Sequence, residues 1–205
     1  AAMTVKPSIH LKPGDERLVE HFQHGLTLLE GGFLTARRDT VALPDGSSAT
    51  REYIVHPGAV AIVPVLDDGR VVMVRQYRYP LGRVLLEFPA GKIDPGEPVF
   101  ACARRELREE TGYTARQWAR ACLIHNAAAY STEGIEIWFA RGLQAGPQAL
   151  DPGEFLEVVS MSLDELDTLA AQGELTDVKT LIGLQWLRQW QSGRWSLSWT
   201  DHALA

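Results

Sequence analysis

Between Gly91 and Tyr113 the chain reads GKIDPGEPVFACARRELREETGY, which crowds Glu106, Glu109 and Glu110 together with Arg104, Arg105 and Arg108. Pro98 suits a first helical turn, where its missing N–H costs nothing, and Gly112 suits a left-handed stop. The spacing therefore predicts a helix over 98–111. At about 100° per residue, Val99, Ala103 and Leu107 form an apolar stripe. Glu106 and Glu110 fall inside that stripe and Glu109 at its edge, while Ala101, Arg104 and Arg108 point the other way. Like charges at i,i+4 repel, and on an inward face they also lose hydration. Arg105 reaches Glu109 one turn on but leaves the other two acids unneutralised. A hard divalent cation resolves the conflict, because Mg2+ takes carboxylate oxygens and substrate phosphates together. Mn2+ accepts the same oxygen-rich set.

Strands and turns must present such a helix. Ala59 to Leu66 is nearly all apolar, as in a strand buried on both faces. Asp67-Asp68-Gly69 turns it, and Val71 to Val74 returns. VLLEFPAG reads as a short strand ending at Pro89-Ala90-Gly91, and WARACLIH and GIEIWFARGL as strands after the helix. SLDELDTLAAQGE reads as a second helix opened by a Ser162/Glu165 capping box. DVKTLIGLQWLRQWQSG reads as a third, begun by Asp177 and stopped by Gly193. Residues 15–56 read as a meander of short strands with a PDGSS hairpin turn, an EGG break and few core positions. The tail RWSLSWTDHALA shows no element of its own. The order predicts an α+β or mixed α/β fold.

Composition narrows the classes of function. With 205 residues, 45% hydrophobic and 22% charged, the chain has material for a real core and is not a disordered segment. A net charge of -6 argues against a broad nucleic-acid footprint. No apolar run reaches the ~18 residues that cross a bilayer, and the first ten residues lack a signal peptide's apolar core. Cys102 and Cys122 carry no CxxC pairing and read as reduced thiols, which together with the rest predicts a cytoplasmic protein without membrane or nucleic-acid partners. The two alanines before Met3 are left out of the fold reading.

The charged stretch resembles the Nudix signature: Gly, five residues, Glu, seven residues, then Arg-Glu-apolar-any-Glu-Glu-any-Gly-apolar. Here those positions are Gly91, Glu97, Arg105, Glu106, Leu107, Glu109, Glu110, Gly112 and Tyr113, the last a looser choice than an aliphatic residue. The resemblance implies a Nudix-type α/β/α sandwich over 51–205, with residues 1–50 as an N-terminal antiparallel β extension. It implies hydrolysis of a nucleoside diphosphate linked to another moiety. Glu106, Glu109, Glu110 and the Ala90 carbonyl would hold Mg2+, and Gly91, Glu97, Arg105 and Gly112 would brace the loop and helix.

Flanking segments resemble the ADP-ribose pyrophosphatase group. LLEFPAGKIDPGE matches the entry to its box; REYIVHPGAVAIVPV and VRQYRYP place Arg51, Glu52, Arg75 and Arg78 as substrate contacts. DPGEFLEVVSMSLDEL resembles that group's late acidic loop, whose glutamate helps activate water and completes the metal site; Glu154 aligns first and Glu157 second. The chain departs at NAAAYSTEGIEIWFA, where Ala128 and Ala129 replace an expected Pro-Gly, while Tyr130 and Glu133 fit the aromatic and the acid that contact substrate. Tyr130 also keeps a diadenosine-polyphosphate hydrolase open as an alternative, and a silent nucleotide-sensing module is the reading from another class. Coenzyme A and NADH branches fit less well, since no second upstream motif and no four-cysteine module is present. In the group the chain resembles, such an extension swaps across a two-fold axis, which implies a homodimer with Phe33 and Leu34 as candidate contacts; a sheet that covers itself within one chain is the alternative. His56, His125 and the tryptophans read as structural.

Overall fold

The computed structural model describes residues 11–203, so the readings made on the first ten residues lie outside the described residues. The chain divides into two compact units, one of residues up to His56 with Ala129–Ser131, the other of Pro57–Ala128 with the remainder from Thr132.

In the first unit a 3-10 turn at Asp15–Leu18 precedes β1 (His21–Glu30), β2 (Thr35–Ala42) and β3 (Ser48–Val55), paired antiparallel in that order. The strands are longer than the sequence suggested, but the turns fall where expected. At PDGSS the Leu43 N–H donates to the Ser47 carbonyl (2.7 Å), and the Asp45 carboxylate accepts from the Ser47 N–H and hydroxyl (2.9 and 2.6 Å). Val41 is the only buried hydrophobic residue among the described residues of these strands, in keeping with the few core positions expected.

In the second unit, β4 (Ala59–Val65), β5 (Val71–Arg78), β6 (Arg83–Glu87) and β7 (Ala90–Lys92) lead into α1 (Val99–Thr111). Then come β8 (Tyr113–Ile124), β9 (Ile135–Ala145), β10 (Leu156–Met161), α2 (Leu163–Ala171), α3 (Val178–Gln191) and β11 (Thr200–Asp201). Eight strands form one mixed sheet with the path β10-β5-β4-β9-β8-β11, β6 beside β5 and β7 beside β4. β4 runs parallel to β9, and every other pairing is antiparallel.

β4 explains the layering. All its residues are buried, and side chains alternate between faces. Ala59, Ala61, Val63 and Val65 join Leu166 of α2 and Leu184 and Leu187 of α3 in one cluster. Val60 and Ile62 join Cys102, Ala103 and Leu107 of α1 in another. A strand with helices on both sides needs an unbroken apolar run, which is what the sequence shows. The result is the expected α/β/α sandwich of mixed α/β class. The tail, which showed no element, adds β11 to β8 (Thr200 opposite Trp118). Its tryptophans pack as expected: Trp195 lies edge-on to Trp186, Trp199 lies against Trp190, and Arg141 stacks on Trp199 at 4.0 Å.

Candidate active site

The site grows from the turn between β7 and α1. Pro98 caps α1, and Gly112 ends it in the left-handed region (φ 74°), closing on the Arg108 carbonyl. Cys102, Ala103 and Leu107 point into the core, and Glu110 goes with them at 3% exposure. The helical wheel is therefore right about the inward acid. Glu106 and Glu109 are part-buried beside it, and Ala101 and Arg108 are exposed on the far face.

Arg105 does more than one helical turn allows. Its Nε and Nη2 donate to the two carboxylate oxygens of Glu97 (2.8 and 2.9 Å). Nη1 donates to Glu106 (2.7 Å) and Glu109 (3.0 Å), and Nη2 also reaches the Lys92 carbonyl (3.1 Å). The expectation that Arg105 leaves Glu106 unneutralised is corrected: a guanidinium fork serves three carboxylates at once because the Glu97 loop folds back onto it. That ion pair holds the Glu97 carboxyl down at about 2. Glu110 is the acid Arg105 misses; the Ala90 N–H donates to it at 3.0 Å. Ala90, expected to offer its carbonyl, orients Glu110 through its N–H. Gly91 lies under Glu106 so closely that a Cβ there would be driven into the Glu106 carboxylate.

The electrostatics follow from burial. Desolvation pushes Glu106 up to about 7, partly offset by Arg105, and the charges of Glu109 and Glu154 add to the rise. Desolvation pushes Glu110 up to about 8, with Glu106 and Glu154 raising it further and the Ala90 N–H and Arg78 opposing. Glu154 therefore sits near enough to feel both. It is held in a turn by its own N–H on the Asp151 carbonyl (3.0 Å) and touched by Gln76 Nε2 (3.4 Å).

Among the described residues these side chains do not close into a ready-made ion cage, since Arg105 engages Glu106 and Glu109. The donor set nevertheless fits a hard divalent cation: it is all oxygen and crowded, and burial makes Glu106 and Glu110 reluctant to ionise without one.

Other expected residues divide. Arg78 donates through Nε and Nη2 to Glu87, both at 2.7 Å, and its charge is felt at Glu110. Arg75 is paired with Glu157. Glu157 is not in a loop, as the acidic-loop resemblance implied, but on β10 opposite Arg75, exposed. Arg51, Glu52 and Tyr130 belong to the first unit. There Arg51 pairs with Glu20 and Glu52 with Arg38, while the Tyr130 carbonyl accepts from Ile54 N–H (2.9 Å). Glu133 meets Asn126 Nδ2 at 3.5 Å. His56 stacks edge-on against Phe33 at 5.9 Å, as a structural histidine would, and His125 is exposed.

Sequence reasoning missed Glu87 and Lys179, both buried and bonded to each other. A glutamate inside VLLEFPAG and a lysine on the inward face of α3 were the available signals.

A family profile described as NUDIX domain matches residues 55–181. The ADP-ribose pyrophosphatase of Bacillus subtilis is 38% identical over 73% of this chain and 82% of its own length. The methanol dehydrogenase activator of Bacillus methanolicus is 36% identical over 78% of this chain and 88% of its own. A crystal structure of an ADP compounds hydrolase superposes with TM-score 0.76 at 26% identity, covering 85% of this chain and 95% of that one. With the full glutamate motif seated on the matching fold, this chain belongs to the NUDIX family and is a Nudix hydrolase.

Proposed function

We propose that the protein is a Mg2+-dependent pyrophosphatase of ADP-ribose or a closely related nucleoside-diphosphate sugar, yielding AMP and ribose 5-phosphate from ADP-ribose. The observation that carries this is that Glu106 and Glu110 of α1 and Glu154 of a separate loop lie close enough to feel one another's charge, around buried Glu110. The ADP moiety is supported by the names of two of the proteins it resembles. Glu106, Glu109, Glu110 and the Ala90 carbonyl would hold Mg2+, with Mn2+ an acceptable substitute. When bound, the ion screens the diphosphate charge and lowers the pKa of the attacking water. Glu97 and Arg105 keep the carboxylates aligned. Glu154, on a turn beside Gln76, takes the proton from water as its oxygen bonds to phosphorus and the bridging P–O bond breaks. Arg75 and Arg78 lie on β5 and would steer the diphosphate. Glu133 would contact the adenosine or ribose end. Two free cysteines fit a cytoplasmic setting, and the exposed β1 fits a homodimer.

The purified protein is assayed with ADP-ribose, other nucleotide sugars, diadenosine polyphosphates, NADH and dNTPs. Sugar-linked diphosphates are expected to turn over best. The E109Q/E110Q variant is expected to lose more than about a hundredfold in rate. No cleavage of any sugar-linked diphosphate refutes the substrate, and full activity of the double variant refutes the site.

A further inference from the structure

Glu87 sits at the end of β6 at 1% exposure, where an apolar residue would cost nothing to bury. Its carboxylate accepts Arg78 Nε and Nη2 (2.7 Å each) and the Lys179 ammonium. Lys179 is itself buried and also pairs with Asp177 at 3.0 Å. Burial pushes the Glu87 carboxyl up, but Arg78 and Lys179 outweigh it and hold it below the usual range. The neighbouring residues lock the same place. The Phe88 N–H donates to Thr180 Oγ1 (2.9 Å), whose hydroxyl donates to Asp177 (2.6 Å). Gly183 has no room for a Cβ against the Phe88 ring. The start of α3 and the end of β6 are one hydrogen-bonded piece, and two residues on, Ala90 N–H meets Glu110.

A buried ion pair of this kind is rarely worth more than the apolar residues that could replace it, so stability is a weak reason for it. Its location supplies a better one. Arg78 is a cation on a long side chain beside excess negative charge, and the fork of Arg105 shows what such a group does here: it closes on Glu106 and Glu109. With Nε and Nη2 spent on Glu87, the remaining Arg78 nitrogen, Nη1, has no bond among the described residues, and the side chain stays 38% exposed.

Resting on the pyrophosphatase reading, we infer that Glu87, backed by Lys179, is a positioning residue: it keeps Arg78 off the metal-binding acids and turns its free edge to the substrate's diphosphate. Glu87 acts only through Arg78 and touches no substrate.

The test is equilibrium binding of the uncleavable α,β-methylene analogue of ADP-ribose, with Mg2+, to the full chain, so that turnover plays no part. R78Q is expected to weaken binding about tenfold or more, the worth of one charge-assisted hydrogen bond. The charge-balanced E87Q/K179M variant is expected to weaken it by a similar factor, and the triple variant no further. E87D, which keeps every charge but shortens the reach, gives the same test should E87Q/K179M fail to fold: a loss in wild-type background that vanishes beside R78Q. Wild-type affinity in the Glu87 variants, or losses that add fully to that of R78Q, overturns the positioning role. If the wild-type chain does not bind the analogue while hydrolysing another substrate, the ADP-ribose reading fails first, and the inference with it.

Discussion

Glu106 and Glu110 are acids that the fold prefers neutral. In the unfolded chain each titrates near 4.5, and in the folded chain near 7 and 8. Between those values the native state binds more protons than the unfolded one, so their contribution to stability is complete below 4.5 and is lost as pH rises through 7 and 8. A divalent cation held by these two residues, as proposed, would reverse the penalty, since metal ligands must be ionised. The rise in melting temperature caused by MgCl2 is therefore expected to be small at about pH 5.5 and large at about pH 8.5. An increment that stays flat or shrinks with pH would remove these two residues from the ion site. Glu97, already held near 2 by Arg105, sits outside this window and takes no part in the difference.

At the scale of elements, α1 and the β7 turn form one device, because Gly91 gives up its side chain for Glu106. Its backbone lies outside the left-handed region, so an alanine there meets a clash with a carboxylate and no conformational strain. G91A is expected to destabilise by about 1–3 kcal/mol, or about 2–4 °C of melting temperature per kcal/mol. In an E106A background the same substitution is expected to cost little, a coupling that paired thermal melts measure. Equal costs in both backgrounds would mean that Gly91 is needed for another reason. This device was half legible in the sequence. The helix, its caps and its inward acids follow from period and spacing, which are local. That Arg105 reaches Glu97 and Glu106 depends on a loop folding back, and that Lys179 meets Glu87 depends on α3 docking over β6, which no local pattern encodes. For the same reason the partners of Arg75 and Arg78 were invisible, while the apolar run of β4 announced a strand covered on both faces.

For the whole molecule, the apolar core is unevenly shared. The sheet of the second unit is buried by helices on both faces, whereas every residue of β1 is exposed, including Phe22, Leu26, Leu28 and Leu29. A three-stranded sheet needs a hydrophobic face packed on something to be stable, and an open ten-residue edge strand also invites pairing. Phe33 adds a further exposed apolar side chain at the turn that follows, though Leu34 beside it is part-buried. In the proposed homodimer a second copy of the chain, related by a two-fold axis, would supply the missing cover with the same surface on each side. Light scattering on the purified chain is then expected to return twice the monomer mass of 22.7 kDa. Replacing Leu26 and Leu28 together by lysine is expected to return the single mass, because two charges on a buried symmetric patch become four. Hydrogen exchange at β1 reports the same event: its amides are expected to be protected in the dimer and to exchange fast in the lysine variant, with β4 protected in both. A dimer that survives both lysines, or a wild-type chain that is monomeric throughout, would show that β1 is not the contact.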